Sequence, residues 1–95
     1  MVIGTLEISL RLEGCRSLKD KRQIVRSVLD KARREFQVSI AEVADQKLWG
    51  NACIGVATVS NNAKQAESVL QHVLDMFDAH PSVEVEAADK EVLRL

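Results

Sequence analysis

The side chains best placed to do chemistry in this sequence are the cations that begin at Ser17-Leu18-Lys19-Asp20-Lys21-Arg22. Residues 1–36 hold nine Lys and Arg against five Asp and Glu, a net of +4, whereas residues 37–95 hold four against nine, a net of −5. A chain of net charge −1 therefore has two oppositely charged halves, and that asymmetry points to a binding surface rather than a catalytic centre. If residues 17–36 form a helix with Val25 at the centre of its apolar stripe, then Lys19, Arg22, Arg26 and Arg33 fall about 60–120° to one side. Arg16 lies just ahead of them, Lys31 on the other flank and Arg34 at the back. Such a stripe can track phosphates, because nucleic-acid affinity is mainly electrostatic. The plainer reading is a solvated face: Asp20, Asp30 and Glu35 are interspersed, and Arg26 and Asp30 are spaced as an i,i+4 pair.

The remaining reactive residue types form no recognisable constellation. Cys15 stands before a helix start and beside Arg16, which would favour its thiolate, but no base adjoins it. Cys15 and Cys53 are too few for a disulfide framework and lack a paired ligand spacing. His72 with Asp75 and Asp78 lacks a third convergent ligand. Gly14 and Ser17 do not have the spacing of a phosphate loop, and Glu7 and Glu42 belong to different strands with no acid–base partner in view. No catalytic residue, metal, cofactor or small-molecule substrate is expected, so the chain reads as a non-enzymatic binding module. Its aromatic residues are Phe36, Phe77 and Trp49, with no Tyr. Trp49, between Leu48 and Gly50, could be an exposed stacking or hot-spot residue. Its large apolar area favours folding back over the core edge.

At 95 residues one domain positions all of these side chains. Residues 2–12 alternate Val2, Gly4, Leu6, Ile8, Leu10 and Leu12 against Ile3, Thr5, Glu7, Ser9 and Arg11, the period of a half-buried strand. Ser17 reads as an N-cap with Asp20 three residues on, a variant of the capping box. The helix it opens runs to about Phe36, with Leu18, Val25, Val28, Leu29, Ala32 and Phe36 on one face. Residues 37–43 form a second strand, 44–50 a connection, and 51–60 a third strand that is apolar on both faces and therefore central. Asn62 and Gln65 open a second helix over about 63–79, with Ala66, Val69, Leu70, Val73, Leu74 and Phe77 inward and Pro81 as its stop. Residues 83–87 alternate again, with a bulge expected at Ala88-Asp89 before an extended tail.

Strand, helix, strand, strand, helix, strand is the split βαβ order of the ferredoxin-like α+β fold. The expectation is one domain over 1–95: an antiparallel four-stranded sheet in the order 4-1-3-2, with both helices on one face. The parity assigned to the strands puts Ile3, Thr5, Glu7 and Ser9 on the open face, joined by Ala52, Ile54, Val56 and Thr58, with Glu84 and Glu86 at the rim. RNA-binding modules of this topology carry aromatics there, and this face has none. An aliphatic centre with a polar rim suits protein contact, most simply a homodimer through Ile3, Thr5, Ile54 and Val56. No secretory signal or membrane-length apolar run is evident, which suits a cytoplasmic protein.

The run Ser17-Leu18-Lys19-Asp20-Lys21-Arg22 resembles the most distinctive segment of the YlxP-like proteins, a small bacterial family of unknown function. Phe36-Gln37-Val38-Ser39-Ile40-Ala41-Glu42-Val43, Leu48-Trp49 and Val59-Ser60-Asn61 resemble that family in the same order, so the likeness spans the chain. It implies a ferredoxin-like fold and carries no activity, cofactor or catalytic residue. Genes of the family often neighbour those of translation initiation and ribosome-assembly factors. By association, that implies a ribosomal RNA or ribonucleoprotein partner for Arg16, Lys19, Arg22, Arg26 and Arg33.

Overall fold

The computed structural model describes residues Met1–Leu95. Its elements are β1 (Val2–Leu12), α1 (Leu18–Glu35), β2 (Ser39–Ala44), β3 (Asn51–Ser60), α2 (Ala63–Asp78) and β4 (Val83–Arg94). The sheet runs β2-β3-β1-β4 and every pairing is antiparallel, which is the expected order. Each helix start is fixed by its cap. The Ser17 Oγ accepts from the Asp20 N–H at 3.1 Å, and the Asp20 carboxylate reaches back to the Arg16 N–H at 3.2 Å. The Asn62 Oδ1 accepts from the N–H groups of Lys64 and Gln65 at 2.8 and 3.2 Å. These contacts satisfy donors that a helix N-terminus otherwise leaves orphaned.

Both helices cover the same face of the sheet. Leu6, Ile8, Leu10 and Leu12 of β1 share one core with Val25, Val28, Leu29 and Ala32 of α1 and with Leu70, Val73 and Phe77 of α2. The core is aliphatic apart from Phe77 and Cys15. Gly4 lets α2 approach β1 closely, since a Cβ there would stand 2.9 Å from the Leu70 Cδ1 and 3.3 Å from the Ala66 Cβ. Gly14, in the turn leaving β1, has φ +70°, a conformation that costs L-residues and not glycine.

The parity of β3 differs from the expectation. In the antiparallel register Leu6 faces Val56, Ile8 faces Ile54 and Leu10 faces Ala52, and directly paired residues share a face of the sheet. Ala52, Ile54, Val56 and Thr58 therefore lie under the helices, with Ile54 only 1 % exposed. Cys53, Gly55, Ala57 and Val59 occupy the open face instead. The larger branched side chains went inward because that face is covered by two helices. The second difference is in β4. Its bulge falls at Glu86, where Leu10 pairs with Val85 and Ser9 with Ala87, rather than at Ala88-Asp89, and the strand then continues to Arg94.

Leu29 and Leu70 fill opposite helices of one continuous core. Leu29→Ala or Leu70→Ala should each cost about 2–5 kcal/mol in chemical denaturation, the range for cavities left by large aliphatic side chains. A loss under about 1 kcal/mol would mean that the side chain does not fill the core.

Candidate nucleic-acid interface

The first turns of α1 divide the Ser17–Arg22 run between inward and outward duties. Lys21 points inward and is 2 % exposed. Its ammonium donates to the backbone carbonyls of Asp45 and Leu48 and sits 2.8 Å from the Glu42 Oε2. One side chain thus joins α1 to β2 and to the β2–β3 connection. That Oε2 takes no hydrogen bond, so its contact with Lys21 is one of charge. The connection is a tight structure in its own right: Asp45 adopts φ 62°, a left-handed conformation that Asp tolerates better than most residues. The Leu48 N–H donates to the Asp45 carbonyl at 3.0 Å, and the Gly50 carbonyl accepts from the Leu12 N–H at 3.0 Å.

Lys19, Arg22 and Arg26 point outward. With Gln23, Ser27 and Asp30 they line a shallow surface groove of about 410 Å³ along α1. None of the three cations is in an ion pair, although Asp30 lines the groove with them. Asp20 accepts from the Arg16 backbone, Asp30 pairs with Arg33 at 3.4 Å rather than with Arg26, and Glu42 faces Lys21. At 1.5 Å rise per residue the three span about 10 Å. Arg33 leaves the stripe: its Nη2 donates to the Ile40 carbonyl at 2.7 Å and ties the end of α1 to β2. The Arg16 side chain is exposed at the head of the helix and enters no ion pair.

Trp49 does not fold over the core edge. It is 50 % exposed, beside a comparably exposed Leu48. The connection that carries it is held by Lys21 through the Leu48 carbonyl and by the Leu12 N–H through the Gly50 carbonyl. The other groups considered earlier are committed to structure. Cys15 is buried, its thiol donating to the Ser17 carbonyl at 3.4 Å. His72 stacks on Phe36 with ring centroids 6.3 Å apart. Asp75 accepts from Gln71 at 2.9 Å.

The open sheet face carries Ile3 and Thr5, as expected, opposite Val59 and Ala57 of β3 and opposite Leu93 and Glu91 of β4. Ile54 and Val56 are absent from it, being buried beneath the helices; their assignment to an interface is corrected by the register. Its acids are Glu7 with Asp89 and Glu91 across β1 and β4, and Glu84 and Glu86 nearer the loop end. Burial pushes the Cys53 thiol up, reinforced by its hydrogen bond to the Glu7 carboxylate at 3.4 Å. Glu84, and secondarily Glu13, raise the already high pKa of the exposed Arg11.

Lys21 went unread in the sequence although its place on the helical wheel gave a signal. It lies about 40° from Val25, between Leu18 and Val25 on the apolar stripe. The two adjacent cations should respond oppositely to truncation. Lys21→Ala leaves Glu42 and two carbonyls without their cation and should cost about 3–5 kcal/mol. Arg22→Ala, on the surface, should stay within about 0.5 kcal/mol. Equal losses in urea melts would refute this division of roles.

The family profile of "Protein of unknown function (DUF503)" matches residues 3–90. The uncharacterized protein YlxP of Bacillus subtilis (strain 168) is 35 % identical over 83 residues, covering 87 % of this chain and 90 % of that protein. Among solved structures, a de novo designed protein with ferredoxin fold, LFR1 1, superposes with a TM-score of 0.56 at 13 % identity, covering 100 % of this chain and 88 % of that one, a likeness of fold alone. With the matching profile and the YlxP relative both spanning most of its length, the chain belongs to the DUF503 family.

Proposed function

We propose that this protein is a non-enzymatic RNA-binding module that lays the exposed flank of α1 along the phosphates of structured RNA, ribosomal RNA being the class to test first. The observation that carries this reading is the run of three exposed cations free of ion pairs, Lys19, Arg22 and Arg26, in a groove whose one acid, Asp30, pairs with Arg33. Arg16 extends the run at the helix N-terminus, and Arg33 serves it only by holding α1 on β2. The translation context implied by the resemblance to YlxP-like proteins supports the same ligand. Few cations and no side chain placed to read base edges make this contact one of position and charge, not sequence.

Reversing Arg22 and Arg26 to Glu should abolish binding to ribosomal RNA fragments in fluorescence anisotropy without lowering the melting temperature. Each phosphate contact removed should flatten the salt dependence by about one unit of slope. Wild-type protein that shows no binding at low salt, or a double variant that binds as well as wild type, would falsify the reading.

A second reading, self-association through the open sheet face, is favoured by one observation. Val59, 68 % exposed, and Leu93, 40 % exposed, flank Ile3 on paired strands and form an aliphatic patch. Val59→Lys should convert a dimer into a folded monomer in sedimentation velocity while leaving circular dichroism unchanged. A wild type that is monomeric at high concentration removes this reading.

A further inference from the structure

We infer that Trp49 is a base-stacking element beside the basic flank of α1, so that the RNA this protein takes carries an unpaired nucleotide next to the phosphates held by the helix. This rests on the RNA reading above and specifies its ligand.

The argument starts from a cost. Trp49 and Leu48 each leave about half their surface in water, an expensive use of large apolar side chains in a domain with few aromatics. Such exposure is ordinary on a floppy loop, but this connection is anchored. The Lys21 ammonium holds its Asp45 and Leu48 carbonyls, Leu12 holds Gly50, and an internal turn joins Leu48 to Asp45. The ring therefore stands on a fixed base, and ligand binding has little backbone freedom left to remove.

The same anchor sets the location. Lys21 lies between Lys19 and Arg22 in the first turns of α1, so the connection is fastened to the end of the helix that begins the cationic run. Lys47, exposed in the connection, adds a further cation. Of the acids at this end, Glu42 faces Lys21 and Glu13 pairs with Arg11, leaving the carboxylates of Asp45 and of Asp20, which caps the Arg16 N–H, as the negative charges without a cation. An exposed ring on a connection fastened to the turn of α1 that carries Lys19 and Arg22, with Lys47 in the same connection, suits a ligand with both a phosphate backbone and π-faces. Neither phenylalanine competes for the role: Phe77 is buried and Phe36 is half-buried against His72. The sheet face, the usual platform in RNA-binding modules of this topology, carries no aromatic residue. A base inside a duplex is already stacked on its neighbours, so a stacking ring selects a nucleotide that is splayed out or single-stranded.

Because the chain holds one Trp and no Tyr, its intrinsic fluorescence reports on this ring. The test titrates wild type, Trp49→Ala and Arg22→Glu/Arg26→Glu with three probes: a mixed-sequence single-stranded oligoribonucleotide, a fully paired RNA duplex of equal length, and inorganic polyphosphate. Anisotropy of labelled probes, or competition for polyphosphate, gives the affinities. The single strand should quench the tryptophan and the other two should leave it unchanged. Trp49→Ala should weaken single-strand binding by about tenfold or more, the scale of one lost base–aromatic stack, and leave polyphosphate binding intact. The double reversal should weaken all three. Single-strand binding that survives Trp49→Ala without any quenching in wild type overturns the stacking role while sparing the electrostatic reading, and leaves Leu48 and Trp49 to a protein partner. Equal losses for single strand and polyphosphate in Trp49→Ala also overturn it, marking the ring as a support of the loop. A wild type that binds none of the probes overturns both readings.

Discussion

The buried ammonium of Lys21 is the interaction on which the arrangement of this protein's surface depends. Removing a charged amine from water costs several kcal/mol unless oxygens replace its hydration. Here two backbone carbonyls and one carboxylate do so, drawn from β2 and from the segment that joins it to β3. The partners lie 21 to 27 residues away in sequence, so satisfying this one group sets the position of the helix over the edge of the sheet. It also settles the direction of its neighbours. With Lys21 turned in, a 100° step per residue carries Lys19 and Arg22 outward. The six-residue run is therefore a cap, a clamp and a surface in alternation, not a uniform basic tract.

Much of the architecture could be read in advance because it rests on local signals. Alternation in β1, capping at Ser17 and Asn62, and the stop at Pro81 each have a short-range cause, and the order of elements then allows few topologies. The faces of β3 were another matter. Both sets, Ala52-Ile54-Val56 and Cys53-Gly55-Ala57-Val59, are apolar, so periodicity cannot say which one meets the helices. That choice is made by register, with Leu6 opposite Val56 and Ile8 opposite Ile54, and register is a tertiary property. Trp49 was misjudged for a related reason. Hydrophobicity favours burial, but the connection that carries the residue is fastened by backbone carbonyls to a lysine, a tie that no pattern of side-chain types reveals.

The candidate site was legible as a stripe and not as a balance of charge. Lys19, Arg22, Arg26 and Arg33 follow from the helical wheel. The fate of the interspersed acids does not, because it depends on side-chain partners: Asp30 chooses Arg33, Asp20 chooses a backbone amide, and Arg33 itself reaches the Ile40 carbonyl. A nearly neutral protein thereby presents a local run of exposed cations without ion-pair partners, with Asp30 as the acid among them. Electrostatic focusing of this kind depends on where unpaired charges sit more than on their total.

The bulge at Glu86 has a consequence for how this chain can vary in length. Ahead of it Val83 and Val85 turn toward the helices; beyond it Ala88, Lys90 and Val92 do, and the Lys90 ammonium reaches Gln71 on α2. The extra residue acts as a phase shift. Were all these residues, Glu86 included, laid into unbroken alternation, the odd-numbered ones beyond it would turn inward, and Asp89 and Glu91 would face the helices. Indels are usually absorbed in surface loops, where spacing is free. In β4 loss of Glu86 itself would leave unbroken alternation with Val85, Ala88, Lys90 and Val92 still turned toward the helices, so the bulge can absorb a one-residue deletion, whereas one between Ala88 and Val92 would exchange the faces of the residues beyond it.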